Sequence, residues 1–253
     1  MKRILTNMAF GTRNKNSRKT ELLKEQKQVL TESSPWPVQE AYKALRTNLM
    51  FSLPGNESKV IGVTSALKND GKSINAINMA ISFAQLGRKV VLVEADMRMP
   101  TVSRKLGCKA VPGLTDVLVG QCCLMDVTQS SQEYRMLSVI PAGNIPPDPT
   151  WLLQSNQMKV VLKALRSAYD YIFIDLPPVA SVADAVILAP LLDGYVLVVR
   201  DGVTEYRAVV DSLDQLRIAK ARVVGFVYND VDISGGGRYY RKGYYHSSYY
   251  KKD

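Results

Sequence analysis

A chain of 253 residues, 46% of them hydrophobic, is long enough for one large α/β core, and it lacks the apolar run of about 18 residues that a membrane-spanning helix needs and the apolar stretch of a secretory signal. The cysteines, Cys108, Cys122 and Cys123, are odd in number and two are adjacent, which makes a poor disulfide or metal framework and points to a reducing cytosol. The net charge of +10 sits in the ends: residues 1–30 carry +6 and residues 238–253 carry +4, leaving a neutral body.

Residues 1–34 are polar and basic with little periodicity, and read as a mobile arm. A helix is expected from about Val38 to Ser52, with Val38, Tyr42, Leu45 and Leu49 on one face and Glu40, Lys43 and Arg46 on another, closed by Pro54 and Gly55. Lys59–Val63 reads as a buried strand running into TSALKNDGKS. There Gly71, Lys72 and Ser73 open an amphipathic helix whose Ile74, Ile77, Ile81 and Ala84 recur at helical spacing. Strand, polar loop and helix in that order form a phosphate-binding loop, in which backbone N–H groups and a helix N-terminus face an anion. Ala66 stands where the pattern GxxxxGK[ST] has its first glycine, so the triplet needs support from its surroundings.

That support comes from later strand ends. Val90–Val93 is a second strand delivering Glu94, Asp96 and Arg98; Gly113–Gly120 is a short helix; Leu137–Ile140 is a third strand before the turn PAGNIPPDP. A helix over Met158–Ala168 leads to the apolar strand Tyr171–Ile174, which presents Asp175 at its end. Two more strands, Gly194–Val199 ending at Arg200 and Val223–Tyr228 ending at Asn229, complete a strand-helix alternation. This predicts a doubly wound, mainly parallel sheet with helices on both faces, a P-loop NTPase architecture of the MinD/ParA kind with ligands at the C-terminal strand ends. Lys72, Ser73, Asp96 and Asp175 then make a site for ATP and Mg²⁺, because the ion wants hard oxygen ligands and the transferring phosphoryl group wants positive charge around it. Glu94 or Asp96 is the expected acceptor of the attacking hydroxyl's proton.

Residues 234–253 differ from the rest. Three glycines precede tyrosine pairs, Tyr239/Tyr240, Tyr244/Tyr245 and Tyr249/Tyr250, repeating every five residues. That period turns each pair about 140° from the last on an α-helix, so no common apolar face forms and a flexible tail is expected.

From about residue 35 to the end the sequence resembles the bacterial tyrosine kinases (BY-kinases) of capsule and exopolysaccharide synthesis, in their cytoplasmic, CpsD/CapB-like form. TSALKNDGKSI resembles the family's Walker A segment, VLVEADMRMP its Walker A′, YIFIDLPPV its Walker B, and the tyrosine cluster its C-terminus. The resemblance implies a kinase domain over residues 35–233. Asn69, Asp70, Gly71, Lys72, Ser73 and Ile74 would wrap the phosphates, and Ser73, Asp96 and Asp175 would hold Mg²⁺. Arg98 would lie near the transferred phosphate and Asn229 near the adenine, while Glu40, Lys43 and Arg46 would join subunits in a ring. It also implies autophosphorylation of the six tail tyrosines across subunits, a transmembrane adaptor of the polysaccharide co-polymerase type, a cognate tyrosine phosphatase, and a place at the inner face of the membrane through the adaptor. Departures from the family pattern are Lys43 for Arg, Lys68 and Asn69 for Pro and Gly, Glu94 for Asp, and Trp151 for Glu.

Three other readings rank below the kinase. A ParA/MinD-like ATPase switch would carry a signature lysine where this chain has Leu67. A nucleotide-binding, non-catalytic scaffold of the export complex gains weight from Glu94. Nucleic acid held by the basic, aromatic tail would leave the nucleotide site unexplained.

Overall fold

The computed structural model describes residues 26–231. Among them, seven strands form one sheet in the order β3-β4-β2-β5-β1-β6-β7. These are β1 (Lys59–Ser65), β2 (Val90–Glu94), β3 (Gln129–Ser130), β4 (Leu137–Ile140), β5 (Tyr171–Asp175), β6 (Gly194–Arg200) and β7 (Val223–Asn229). All neighbouring pairs are parallel except β3–β4. The predicted strands appear at their predicted places, and the short β3 is an addition. Its two residues, one exposed and one half-buried, carry no apolar pattern to read.

Parallel strands buried on both faces alternate their side chains between two layers. Val91, Val93, Ile172 and Ile174 enter one core with Met158, Val161, Leu162 and Leu165 of the helix α7 (Asn156–Ala168). Val90, Leu92, Phe173 and Val196 enter the other, beneath α1 (Trp36–Ser52) and α2 (Lys72–Gln85). Phe83 of α2 meets Tyr171 and Phe173 ring to ring, at centroid distances of 4.3 and 5.3 Å. Between β2 and β4 lie α3 (Val102–Leu106), α4 (Leu114–Leu118) and α5 (Leu124–Val127). The chain then runs through α6 (Pro149–Gln154) and α7 to β5, through α8 (Asp184–Ile187) to β6, and through α9 (Tyr206–Ile218) to β7.

Helix ends follow local chemistry. α1 begins two residues before the expected Val38, since Pro37 is pre-set for a first turn. α6 occupies part of the stretch read as a turn, because the Asp148 side chain accepts the Trp151 N–H and Pro149 opens the helix. The expectation of a mobile arm through residue 34 needs correction at its end. Val29 and Leu30 are buried, the Leu30 N–H donates to Asn78 Oδ1 at 2.8 Å, and Tyr134 OH donates to Leu30 O at 2.6 Å. This adjacent apolar pair has a hydrophobic slot to fill. Residues 1–25 of the basic arm and the tail with Tyr239, Tyr240, Tyr244, Tyr245, Tyr249 and Tyr250 lie outside the described residues. Among the described helices none is long and apolar enough to cross a membrane.

Candidate active site

The loop between β1 and α2 is built by residues that accept unusual backbone angles. Asn69 has φ +67° and Gly71 φ +96°, the left-handed region that asparagine tolerates and glycine enters freely. At Gly71 a side chain is doubly excluded, since a Cβ there would also collide with the Asn229 amide. The loop is braced from three sides. Asp70, fully buried, accepts the Leu67 N–H at 2.9 Å and the Thr204 hydroxyl at 2.8 Å; Asn229 Nδ2 donates to Asp70 O at 2.9 Å; Asn75 Nδ2 donates to Gly71 O at 3.0 Å. Asp70 is expected to wrap phosphate as part of this loop; its side chain faces the protein and shapes the loop. No side chain caps the N-terminus of α2, which leaves that end to an anion.

Beside it stands a buried charge cluster. Lys72 Nζ lies 2.8 Å from Asp96 Oδ2, 3.3 Å from Asp175 Oδ1 and 3.2 Å from Ser73 Oγ. Burial works against the Lys72 charge, but Asp175 and Asp96 outweigh it and raise its pKa. Burial also raises the pKa of Asp175, opposed chiefly by Lys72. Asp175 Oδ2 is buried with no hydrogen-bond partner among the described residues. An unpaired carboxylate oxygen beside a hydroxyl and a second carboxylate suits a hard divalent cation. No group of three or more His, Cys, Asp or Glu side chains among the described residues encloses one, so phosphate oxygens and water would complete its shell, as Mg²⁺ prefers.

Glu94 does not join this cluster. It is fully buried and accepts the backbone N–H groups of Thr101, Val102 (2.6 Å) and Ala142 (3.3 Å). Its carboxylate reaches the start of α3, so the expectation that it acts as base is corrected: it holds backbone. Burial, the Val102 N–H opposing it, and the nearby Asp175 charge leave its pKa raised to about 7. Arg98 reaches the cavity edge locked to buried Asp184, with Nε 2.9 Å from Oδ2 and Nη2 2.9 Å from Thr150 Oγ1, while Thr150 donates to Asp184 Oδ1 at 2.6 Å. Sequence reading passed over Asp184 and Thr150, although an acid inside the apolar run ASVADAVIL was a signal for the first. Nothing in spacing marked Thr204 or Asn75.

On α1, Glu40 and Lys43 pair with each other at 2.7 Å, and Arg46 Nη1 donates to Ser82 O at 2.6 Å. These three side chains do not line the site. A cavity of about 820 Å³ does run the length of the strand ends, and Lys72, Ser73 and Asp96 lie along it. On the β6–β7 side it is bounded by Arg200, Asn229 and Asp230, and on the β2 side by Arg98, Met99 and Thr101.

A family model described as an AAA domain matches residues 58–209. The chain is 38% identical over 206 residues to the tyrosine-protein kinase YwqD of Bacillus subtilis, covering 81% of this chain and 85% of that protein. The chain belongs to the bacterial tyrosine-protein kinases. Among solved structures, the kinase domain of the Escherichia coli tyrosine kinase ETK superposes with a TM-score of 0.75 at 30% identity, covering 81% of this chain and 80% of that one. The division-site protein MinD of Pyrococcus horikoshii shares the fold, with a TM-score of 0.58 at 24% identity over 68% of this chain and 70% of that one. The kinase therefore has the P-loop NTPase fold expected of it, and its cluster of Lys72, Asp96 and Asp175 lies where the loop between β1 and α2 meets the C-terminal ends of β2 and β5.

Proposed function

We propose that this kinase transfers the γ-phosphoryl group of ATP to tyrosines in the C-terminal tails of neighbouring subunits, and that this regulates polymerisation and export of a capsular or extracellular polysaccharide. The observation that carries the reading is Lys72 held between Asp96 and Asp175 at the mouth of an uncapped helix. Lys72 and Arg98 supply positive charge along the path of the transferred group. Ser73, Asp96 and Asp175 would hold Mg²⁺, and the ion would add charge at the phosphate oxygens. The tyrosine oxygen forms a bond to the γ-phosphorus as the bond to the β,γ-bridging oxygen breaks, ADP leaves, and Asp96 takes the phenolic proton. Asp96 is favoured over Glu94 for that task because it lines the cavity while Glu94 is spent on backbone.

Sixteen residues from Arg238 span up to about 50 Å when extended, enough to reach a neighbouring site. Subunits would assemble through Glu40, Lys43 and Arg46 into a ring, docked at the inner face of the membrane on the cytoplasmic segments of a transmembrane adaptor, with a tyrosine phosphatase resetting the tails. Phosphate on all six tyrosines would turn a tail of +4 into one of roughly −5 to −8, repelling neighbours and releasing subunits.

Purified protein with Mg-ATP and the adaptor's cytoplasmic segments, read by mass spectrometry, should acquire phosphotyrosine within residues 239–250, and the Lys72→Met variant should not. Wild-type tails without phosphate would overturn the kinase reading. An assembly size that stays constant through phosphorylation would overturn the release step alone.

A further inference from the structure

The docked segment before α1 and the phosphate loop are joined by an unbroken line of hydrogen bonds. Asn75, one turn into α2, grips Gly71 O twice, with its backbone N–H at 3.1 Å and its Nδ2 at 3.0 Å. With the amide turned that way, Asn75 Oδ1 accepts the Tyr42 hydroxyl of α1 at 2.9 Å. Tyr42 OH in turn accepts Asn78 Nδ2 at 3.1 Å. The same Nδ2 donates to Gln28 O at 3.0 Å, while Asn78 Oδ1 accepts the Leu30 N–H at 2.8 Å. From Leu30 through Asn78, Tyr42 and Asn75 to Gly71, each group donates to the next, and both ends are backbone.

Such a line transmits because none of its members has a substitute partner. Asn75 and Asn78 are each only 2% exposed, so a broken bond leaves a buried amide unsatisfied instead of handing it to water. Burial raises the Tyr42 pKa, which keeps its hydroxyl protonated as the donor to Asn75. Aligned hydrogen bonds in a low dielectric also polarise one another, so each strengthens its neighbour. Both ends of the line face one space: Lys27, Gln28, Tyr42 and Asn78 line the same cavity as Gly71 and Lys72. An anion seated on the loop's N–H groups fixes the peptide units around Gly71. A fixed Gly71 carbonyl holds the Asn75 amide in the orientation that Tyr42 needs.

We infer that Tyr42 is a positioning residue that couples occupancy of the phosphate loop to docking of residues 28–30. Nucleotide in the loop tightens the segment, and by linkage the docked segment tightens the nucleotide. The inference rests on nucleotide binding at this loop and adds a second element that responds to it. Residues 28–30 close the basic stretch 1–30, so the coupling connects that stretch to the nucleotide state.

The test follows amide hydrogen exchange of the full chain by NMR, with and without saturating Mg-ADP. In the wild type the Leu30 N–H should exchange about three- to tenfold more slowly with nucleotide bound, the scale of one hydrogen bond. In Tyr42→Phe the slowing should fall below about twofold, and the Kd for a fluorescent ADP analogue should rise by about three- to tenfold. Asn78→Ala should also raise that Kd, yet add less than about twofold in the Tyr42→Phe background, where the line is already cut. The wild-type exchange reading needs no folded variant. Leu30 exchange that ignores bound nucleotide in the wild type would overturn the coupling and leave the kinase standing. Equal slowing in wild type and Tyr42→Phe would assign the effect to direct contact with the nucleotide and overturn the role of Tyr42. A wild-type chain that binds no nucleotide would remove the kinase reading and this inference together.

Discussion

The ends of β2 and β5 make an instructive pair. Glu94 and Asp175 are register partners on adjacent strands, both fully buried, and burial raises the pKa of both. Glu94 is engaged by three backbone N–H groups and faces the start of α3, whereas Asp175 leaves one oxygen unpaired beside Lys72. Two carboxylates of equal depth thus have different surroundings: one holds a loop in shape, the other keeps an oxygen open beside Lys72. Side-chain length and the placement of donors separate them, since a buried acid is stable only when something nearby answers its charge.

Breaking the Asp175 side should have the largest effect. Asp175→Asn and Lys72→Met should each lower kcat by about 10³-fold or more, because both act on charge at the transferring phosphoryl group. Circular dichroism should show the fold retained, and a kcat within about threefold of wild type would contradict the assignment.

The Glu94 side should appear first in stability against pH. Its folded pKa, raised to about 7 from 4.5, means that between those values the folded chain keeps a proton that the unfolded chain has released. This group's contribution is therefore most favourable below pH 4.5 and is lost as pH rises through 7, by a few kcal/mol. Urea unfolding of wild type and Glu94→Gln should show a downward slope over this range in the former that the latter lacks. Parallel curves would mean Glu94 does not titrate in the folded chain.

Shortening the same side chain is a smaller perturbation. Glu94→Asp withdraws the carboxylate from the Thr101 and Val102 N–H groups and should cost about 1–3 kcal/mol, a drop of several degrees in Tm. An unchanged Tm would show that the shorter acid still reaches them. Least affected should be the α1 surface. Lys43→Ala removes an exposed pair with Glu40 and should change monomer stability by less than about 0.5 kcal/mol, so any larger effect on assembly size would be assigned to contact between subunits.

Much of this was legible beforehand because its signals are local. β4 and β5 fall on the residues their apolar runs marked, and Lys72, Ser73, Asp96 and Asp175 meet because parallel strands end at one edge of the sheet. The supports of the site were not legible. Asp184 under Arg98, Thr204 on Asp70, and Tyr42 OH donating to Asn75 Oδ1 at 2.9 Å join residues 33 to 134 positions apart, and no period in the chain encodes such pairings. Val29 and Leu30 were lost in a basic stretch, since two apolar residues make no pattern until a slot exists to receive them.

By itself the sequence determined the order of strands and helices, the phosphate loop and the charges at the strand ends, since these depend on spacing and on the chirality of strand-helix crossovers. Only the tertiary structure decided what each charge does. It directed Glu94 to backbone, left an oxygen of Asp175 open beside Lys72, and drew Asp70 into the loop's frame. A charge has the same sign wherever it stands in a chain, but burial and the donors around it settle its role.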